Sequence, residues 1–331
     1  MDTSQDFHSI AAPALVPHRL ARAHAGLAFL NRQRVGSDYF PSFISTQPDF
    51  SDGTLAPSEI FSSALILICL AESELKLSSH ARLLDKLSSS FTPDGFVHFF
   101  EDRALLPADV DCTVVVLDAL FKNGRRVTPP MHRALDRIAA NTDANGVLRV
   151  YLDSDPLRAK RVDAVVCVNA LYTFSTLGRE RELAPSMTYV AEHLASEQFE
   201  AGTRYYPSPA MFLYFASRLV RDFAWAERRF GALLRERLQQ RSGNTPAGVL
   251  EVAARATAAS NLGLVAVEEL RMLADAQGED GSWRASPCFR FGRSSRYFGG
   301  ECLSTGFALR ALMAENVAQR AVPLRRSGTT G

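Results

Sequence analysis

The octapeptide VVVLDALF, ending at Phe121, returns as VVCVNALY, ending at Tyr172, a shift of 51 residues. A turn or basic segment follows each (KNGRR; STLGRER). A glycine among aromatic or apolar neighbours precedes each across an irregular stretch, in DGFVHFF at 94–100 and NGVLRVYL at 145–152. Fainter copies are GTRYYPS before MFLYFASRLV, DGSWRAS before LSTGFALRALM, and SDYFPSF before FSSALILICLAES. A fixed period constrains the fold strongly, because a short unit cannot hide its apolar stripe alone and must stack on its neighbours. Apolar residues recur at three and four positions, as in Met131, Leu135 and Ile138, and Ser, Thr or Asp precede such runs, which predicts helices. No series with a period of two predicts strands. Each unit therefore reads as helix, Gly-aromatic turn, irregular loop, helix. The chain is expected to be all-α, with about five to six helix pairs in one domain. The period alone fits an open solenoid or a closed ring.

The 331 residues suffice for a substantial core. With 37 basic against 36 acidic residues, the formal charge of +1 gives no global reason to bind nucleic acid or an anionic surface. The longest apolar run, Ala64–Ala71, falls far short of the ~20 residues that span a bilayer. Exposed aromatic loops or the FLYFASRLV segment leave room for a dimer or a peripheral membrane contact, and the oligomeric state stays open. MDTSQDFHSIAAPAL lacks a basic start followed by an unbroken apolar region. The five cysteines, Cys69, Cys112, Cys167, Cys288 and Cys302, show no CxxC pair and no metal-ligand spacing. Together these point to a reducing, cytoplasmic setting. The expected organisation is a flexible segment over 1–20, the repeat domain over 21–318 and a disordered tail over 319–331.

Two motifs add a resemblance. QGEDGSW, Gln277 to Trp283, follows AVEELRMLADA and resembles the QW repeat of squalene-hopene and oxidosqualene cyclases. DVDCT, residues 109–113, leads into VVVLDALFKNG and resembles the Asp-x-Asp-Asp-Thr motif of class II terpene cyclases. Cys112 stands where the fourth position would be aspartate, and the oxidosqualene cyclases carry Asp-Cys-Thr there. The resemblance covers roughly residues 35–315. It implies an (α/α) toroid and a cyclisation started by proton transfer to an isoprenoid or meroterpenoid. Asp111 would be the acid, Asp109 a companion for its proton, and Cys112, Thr113, Cys167 and His98 polar neighbours.

Such chemistry needs a buried carboxyl that stays protonated and a partner that stabilises the carboxylate left behind. It also needs aromatic faces to shield a carbocation. Phe96, Phe99, Phe100, Tyr205, Tyr206, Phe291, Tyr297 and Phe298 lie in the loops before the second helix of each unit and are candidates for the pocket. Arg158, Arg161, Arg293 and Arg296 flank the same loops and could hold a diphosphate. No cofactor is implied, and magnesium enters only if the substrate is a diphosphate. No Asp-Asp-x-x-Asp motif or zinc-ligand pattern is present.

Each feature also has a plainer account. Carboxylates at a helix start accept its free N–H groups. Acids recur at such starts: Glu301 in the slot of Asp109, Glu59 in the first unit, and Asp163 opposite Cys112. Val162 and Leu303 take the slot of Asp111, so Asp111 is the acid without an acidic counterpart. Asp118, with Asn169 and Arg310 at its repeat positions, would make a lumen more polar than a simple polyene prefers. The alternative to an enzyme is therefore a toroid that binds a lipid-like or peptide ligand, or a pathway partner, with its acids serving as caps.

Overall fold

The computed structural model describes residues 15–33, 39–153, 155–158, 160–241 and 246–314. The expected tail over 319–331 lies outside these residues, as do the first fourteen of the expected flexible segment. A helix already begins at Leu15.

Two kinds of helix alternate. The inner kind comprises α2 (Phe61–Ala71), α4 (Val110–Lys122), α6 (Ala164–Thr176), α8 (Pro209–Asp222), α11 (Val249–Asn261) and α13 (Glu301–Met313). These are buried nearly all round: in α2 every residue from Phe61 to Leu70 is buried. The outer kind comprises α1 (Leu15–Arg32), α3 (His80–Ser89), α5 (Pro129–Ala140), α7 (Ala184–Ala195), α10 (Ala232–Gln240) and α12 (Val267–Asp275). A short α9 (Ala224–Ala226) runs through a π-helical turn, Glu227–Gly231, into α10. The outer helices bury one stripe only; α5 buries Met131, Ala134, Leu135 and Ile138. That is the pattern of a helix with a core on one side and solvent on the other.

The ring closes. α2 packs on α4, α4 on α6, α6 on α8, α8 on α11, α11 on α13, and α13 returns to α2. The fold is an (α/α) toroid of six inner helices in an outer layer. The FLYFASRLV segment lies in inner helix α8, where Phe212 to Val220 are buried. It is therefore unavailable for the dimer or membrane contact it suggested.

Gln277 and Trp283 fasten the closure. Gln277 Nε2 donates to the carbonyls of Arg22 (2.9 Å) and Gly281 (3.0 Å), and Trp283 Nε1 donates to Leu273 O at 2.8 Å. Gly281 has φ +88°, and a Cβ there would lie 2.4 Å from Ala25 O, so no other residue fits this turn against α1. Trp283 is fully buried. Trp283→Ala should cost about 3–5 kcal/mol in chemical denaturation. A loss under about 1 kcal/mol would show that the turn does not hold the ring.

A small antiparallel sheet, in the order β2-β1-β4-β3, was not expected from the sequence. It joins β1 (Phe43–Ser45) and β2 (Thr54–Leu55) to β3 (Pro287–Arg290) and β4 (Tyr297–Gly299). These strands have two to four residues, too few to show a period. They bring the loops before α2 and α13 together at one end of the toroid.

Candidate active site

The N-terminal ends of the inner helices surround one pocket, lined by Phe61, Asp109, Asp111, Cys112, Val166, Tyr206 and residues of the preceding loops. Its space is about 550 Å³ including the open mouth, and the centre of a water-sized sphere reaches about 70 Å³ of it. The slot is narrow.

Asp109 begins α4 as its N-cap. Its Oδ1 accepts from Cys112 N at 2.7 Å. Asp163 does the same for α6, accepting from Val165 N at 2.9 Å. The two caps are thus counterparts, and the structural register differs from the octapeptide alignment, which set Asp163 opposite Cys112. Counted from the caps, Val165 stands in the place of Asp111, with Ser62 and Cys302 there in α2 and α13. Asp111 still has no acidic counterpart. Glu59 also caps, accepting from Ser62 N at 2.9 Å, whereas Glu301 is an exposed first residue of α13 with a glycine cap before it.

Asp111 lies one residue inside the helix and turns into the pocket, although it is 8% exposed. Asn169 Nδ2 donates to its Oδ1 at 2.8 Å, and Tyr206 Oη donates to its Oδ2 at 2.6 Å. Burial pushes its carboxyl up to about 7 despite those two bonds, which favour the charged form. Asp109 is raised by burial to about 6, against the pull of its bonds at Cys112. Each oxygen of Asp111 spends one lone pair on its donor and keeps another free. The group can therefore hold a proton near neutrality, and two donors await the carboxylate when it leaves.

Phe61, Phe99, Phe289 and Phe298 form a wall beside this acid. The rings of Phe289 and Phe298 stack at 5.4 Å, and Phe99 meets both edge-on at 5.3 and 5.4 Å. Phe61 meets Phe289 edge-on at 5.4 Å. Tyr151 and Tyr205, with ring centres 6.2 Å apart, form another part of the lining with Leu106 and Val150.

Residues 50–177 match the family described as the sesquiterpene cyclase astC-like C-terminal domain. Over 234 residues the chain is 32% identical to the drimenol cyclase drtB of Aspergillus calidoustus, a match covering 70% of this chain and 40% of that protein. The chain thus spans less than half the length of that relative. The type II terpene cyclase MstE from Scytonema superposes with a TM-score of 0.67 at 14% identity, covering 90% of this chain and 98% of that one. A protein from Actinoplanes does so with a TM-score of 0.68 at 16% identity, over 91% and 99% of the two chains. At such identities the structural likeness establishes the fold.

The chain belongs to the class II terpene cyclase-like superfamily.

Within this cyclase fold the expected site residues divide. Asp109, Asp111, Cys112, Phe99, Tyr205, Tyr206, Phe291 and Phe298 line the pocket. Thr113 does not: its Oγ1 donates to Asp109 O at 2.8 Å and accepts from Val97 N at 3.0 Å, tying the loop to the helix. Cys167 is buried outside the lining, with Ser186 as its hydrogen-bonding neighbour. His98 pairs through Nδ1 with Leu106 O (2.8 Å) and borders a different depression with Tyr39, Lys86 and Glu101, so it cannot assist Asp111. Phe96 packs under Arg137, and Phe100 lies behind Phe99 against that second depression. Tyr297 is in β4 but outside the lining.

The cations also rearrange. Arg158 is bound to Asp153 (2.6 Å) and Asp155 (2.9 Å), and Arg161 stands over the Tyr151 ring. Arg293 and Arg296 are exposed on the turn between β3 and β4. The cation that lines the pocket is Arg290, whose Nη2 donates to Thr203 O at 2.7 Å. Among the described residues, no group of three or more His, Cys, Asp and Glu side chains is placed to hold a metal ion.

The companion role expected of Asp109 passes to Asn169 and Tyr206, since Asp109 is occupied as a cap. Asn169 had stood out only as the repeat partner of Asp118. Phe61, Leu106, Val150, Tyr151 and Val166 were not expected in the site. They come from separate loops and helix starts, and no local pattern marks them.

Asp118 and Arg310 lie at the opposite end of the lumen, away from the pocket. There Arg218 pairs with Glu72 (3.0 Å) and Asp118 (2.5 Å), and Glu72 also accepts from Arg221 and Arg310. Tyr214, whose Oη lies 3.9 Å from Cys69 Sγ on the facing helix, crosses the lumen between these charges and the pocket. The polarity anticipated from Asp118 is neutralised in a plug.

Proposed function

We propose that this domain cyclises an isoprenoid by protonation, with Asp111 as the general acid. The observation that carries this reading is a buried carboxyl, raised to about 7, facing an aromatic pocket with a hydrogen-bond donor on each oxygen. The acid gives its proton to a terminal alkene or epoxide, and Tyr206 and Asn169 hold the resulting carboxylate. Phe61, Phe99, Phe289 and Phe298 then offer ring faces to the cation without a lone pair that could capture it. Tyr214 and the charged layer beneath it limit the depth of the lumen. That limit, the sesquiterpene cyclase family and the drimenol cyclase relative support a farnesyl-length substrate. A related enzyme of this fold is known in complex with geranylgeranyl dihydroxybenzoate, so an aromatic-capped chain belongs in the test panel. Arg290 is the cation placed to meet an anionic head group. Five free, buried cysteines support a reducing compartment.

The test is incubation of the purified protein with farnesyl and geranylgeranyl diphosphates, their epoxides and prenylated aromatic acids, with products read by mass spectrometry. Cyclic product from at least one is expected. None across the panel would favour a binding role instead.

The pH dependence has a definite sign. The protonated form of Asp111 does the work, so activity should fall as pH rises through about 7. Tyr206→Phe removes a donor that favours the carboxylate, so this limb should move to higher pH while turnover drops. A limb that stays in place would remove Tyr206 from control of the acid.

A further inference from the structure

Among the described residues seven large hydrophobic side chains are exposed, and four of them stand around the mouth of the pocket: Leu55, Leu105, Leu157 and Phe291. Leu157 is 81% exposed, in the loop between Tyr151, which lines the pocket, and Asp163, the α6 cap. Phe291 is 47% exposed at the head of the β3–β4 turn and lines the pocket itself. The two segments adjoin through the loop at 203–206: Tyr205 lies against Tyr151, and Arg290 N donates to Tyr205 O at 2.7 Å.

This half of the rim is basic. Lys160, Arg293 and Arg296 are exposed and Arg161 is half-buried. The acids of its loop, Asp153 and Asp155, are both bound to Arg158. The other half, with Leu55 and Leu105, carries Asp49, Asp52, Glu101 and Asp102, so the charge is lopsided although the chain as a whole is nearly neutral. Water-facing apolar side chains ringed by cations are the composition of a surface that rests on anionic lipid. They are costly to a protein that meets only water.

We infer that the half-rim made by residues 155–161 and 290–296 docks on an anionic lipid bilayer. Leu157 and Phe291 enter the boundary between headgroups and acyl chains, and Lys160, Arg161, Arg293 and Arg296 face the anionic headgroups. The pocket mouth then opens onto the bilayer, and an apolar chain can enter without crossing water. This last step rests on the cyclase reading; the docking does not.

Sedimentation with vesicles separates the two. Wild-type protein should partition onto phosphatidylcholine vesicles containing phosphatidylserine, less onto phosphatidylcholine alone, and less again as salt rises. Each cation removed in Arg293→Ser and Arg296→Ser should weaken partitioning about fivefold. Leu157→Ser should weaken it on both vesicle types with an unchanged melting curve, because the side chain makes little contact in the fold. Wild-type protein that stays in the supernatant with every vesicle would overturn the inference. So would variants that partition as wild type does, or light scattering that shows a dimer dissociated by Leu157→Ser with no vesicle binding. The assay contains no substrate, so a protein that forms no cyclic product can still bind the vesicles, and the two failures stay distinct.

Discussion

Asp111→Asn should fold like the wild type and form no cyclic product. The amide keeps the shape and an oxygen for Tyr206, and it removes only the proton to be transferred. Loss of a general acid costs about 10²- to 10⁴-fold, and more where water cannot substitute for it. The melting temperature should hold or rise, since a buried carboxyl raised by desolvation is replaced by a neutral group. Asp109→Asn is the comparison that isolates the role. Its carboxyl caps α4, so the expected loss is about 1 kcal/mol of stability, with a smaller effect on turnover. Equal product from wild type and Asp111→Asn would remove this residue from the mechanism.

The second large effect lies at the other end of the lumen. Glu72→Gln should destabilise the protein by about 3–5 kcal/mol, the range for breaking a buried ion pair from one side. Its carboxylate accepts from Arg218, Arg221 and Arg310 and pairs with Lys122 at 3.2 Å. Burial would raise this acid, but Arg218, Arg221 and Lys122 hold it well below the ordinary range. The stabilisation is therefore present at neutral pH and is lost only in strong acid, as pH falls through the depressed value. Asp111, Asp109 and Glu59 act in the opposite sense. Their raised values, about 7, 6 and 7, mean that their contribution is complete in acid and fades as pH rises through that range. Denaturant midpoints measured across pH for Glu72→Gln and wild type would show both limbs. A loss below about 1 kcal/mol would mean that water already reaches the network.

Much of the fold was legible because it repeats. The fifty-residue period gave the helix pairs, and an unbroken apolar α2 against a striped α5 distinguishes inner from outer helices. Closure of the ring was not legible, because it depends on α13 meeting α2 across the whole sequence. The sheet was missed because its strands are too short to alternate. At the site, Asp111 was picked out by the absence of an acid in its repeat slot, and that survived a change of alignment register. Its partners were not found. Asn169 and Tyr206 lie 58 and 95 residues away in sequence and meet it only through the packing of α6 and the loop before α8. His98, chosen for being close in the chain, faces elsewhere.

All six inner helices run in one direction, with their starts at the pocket and their ends at the charged plug. Their peptide dipoles therefore add rather than cancel, which gives the barrel an electrical polarity. Negative helix ends meet four cations, Lys122, Arg218, Arg221 and Arg310, against three carboxylates, Glu72, Asp118 and Asp222. Positive helix starts meet the carboxyls of Glu59, Asp109, Asp111 and Asp163. The same field that steadies a carboxylate after it has given up its proton repels a carbocation from the helix starts. A cation born at Asp111 is thereby driven along the chain toward the phenylalanine wall and the mouth, and the ring's handed arrangement of parallel helices sets the direction in which charge travels during cyclisation.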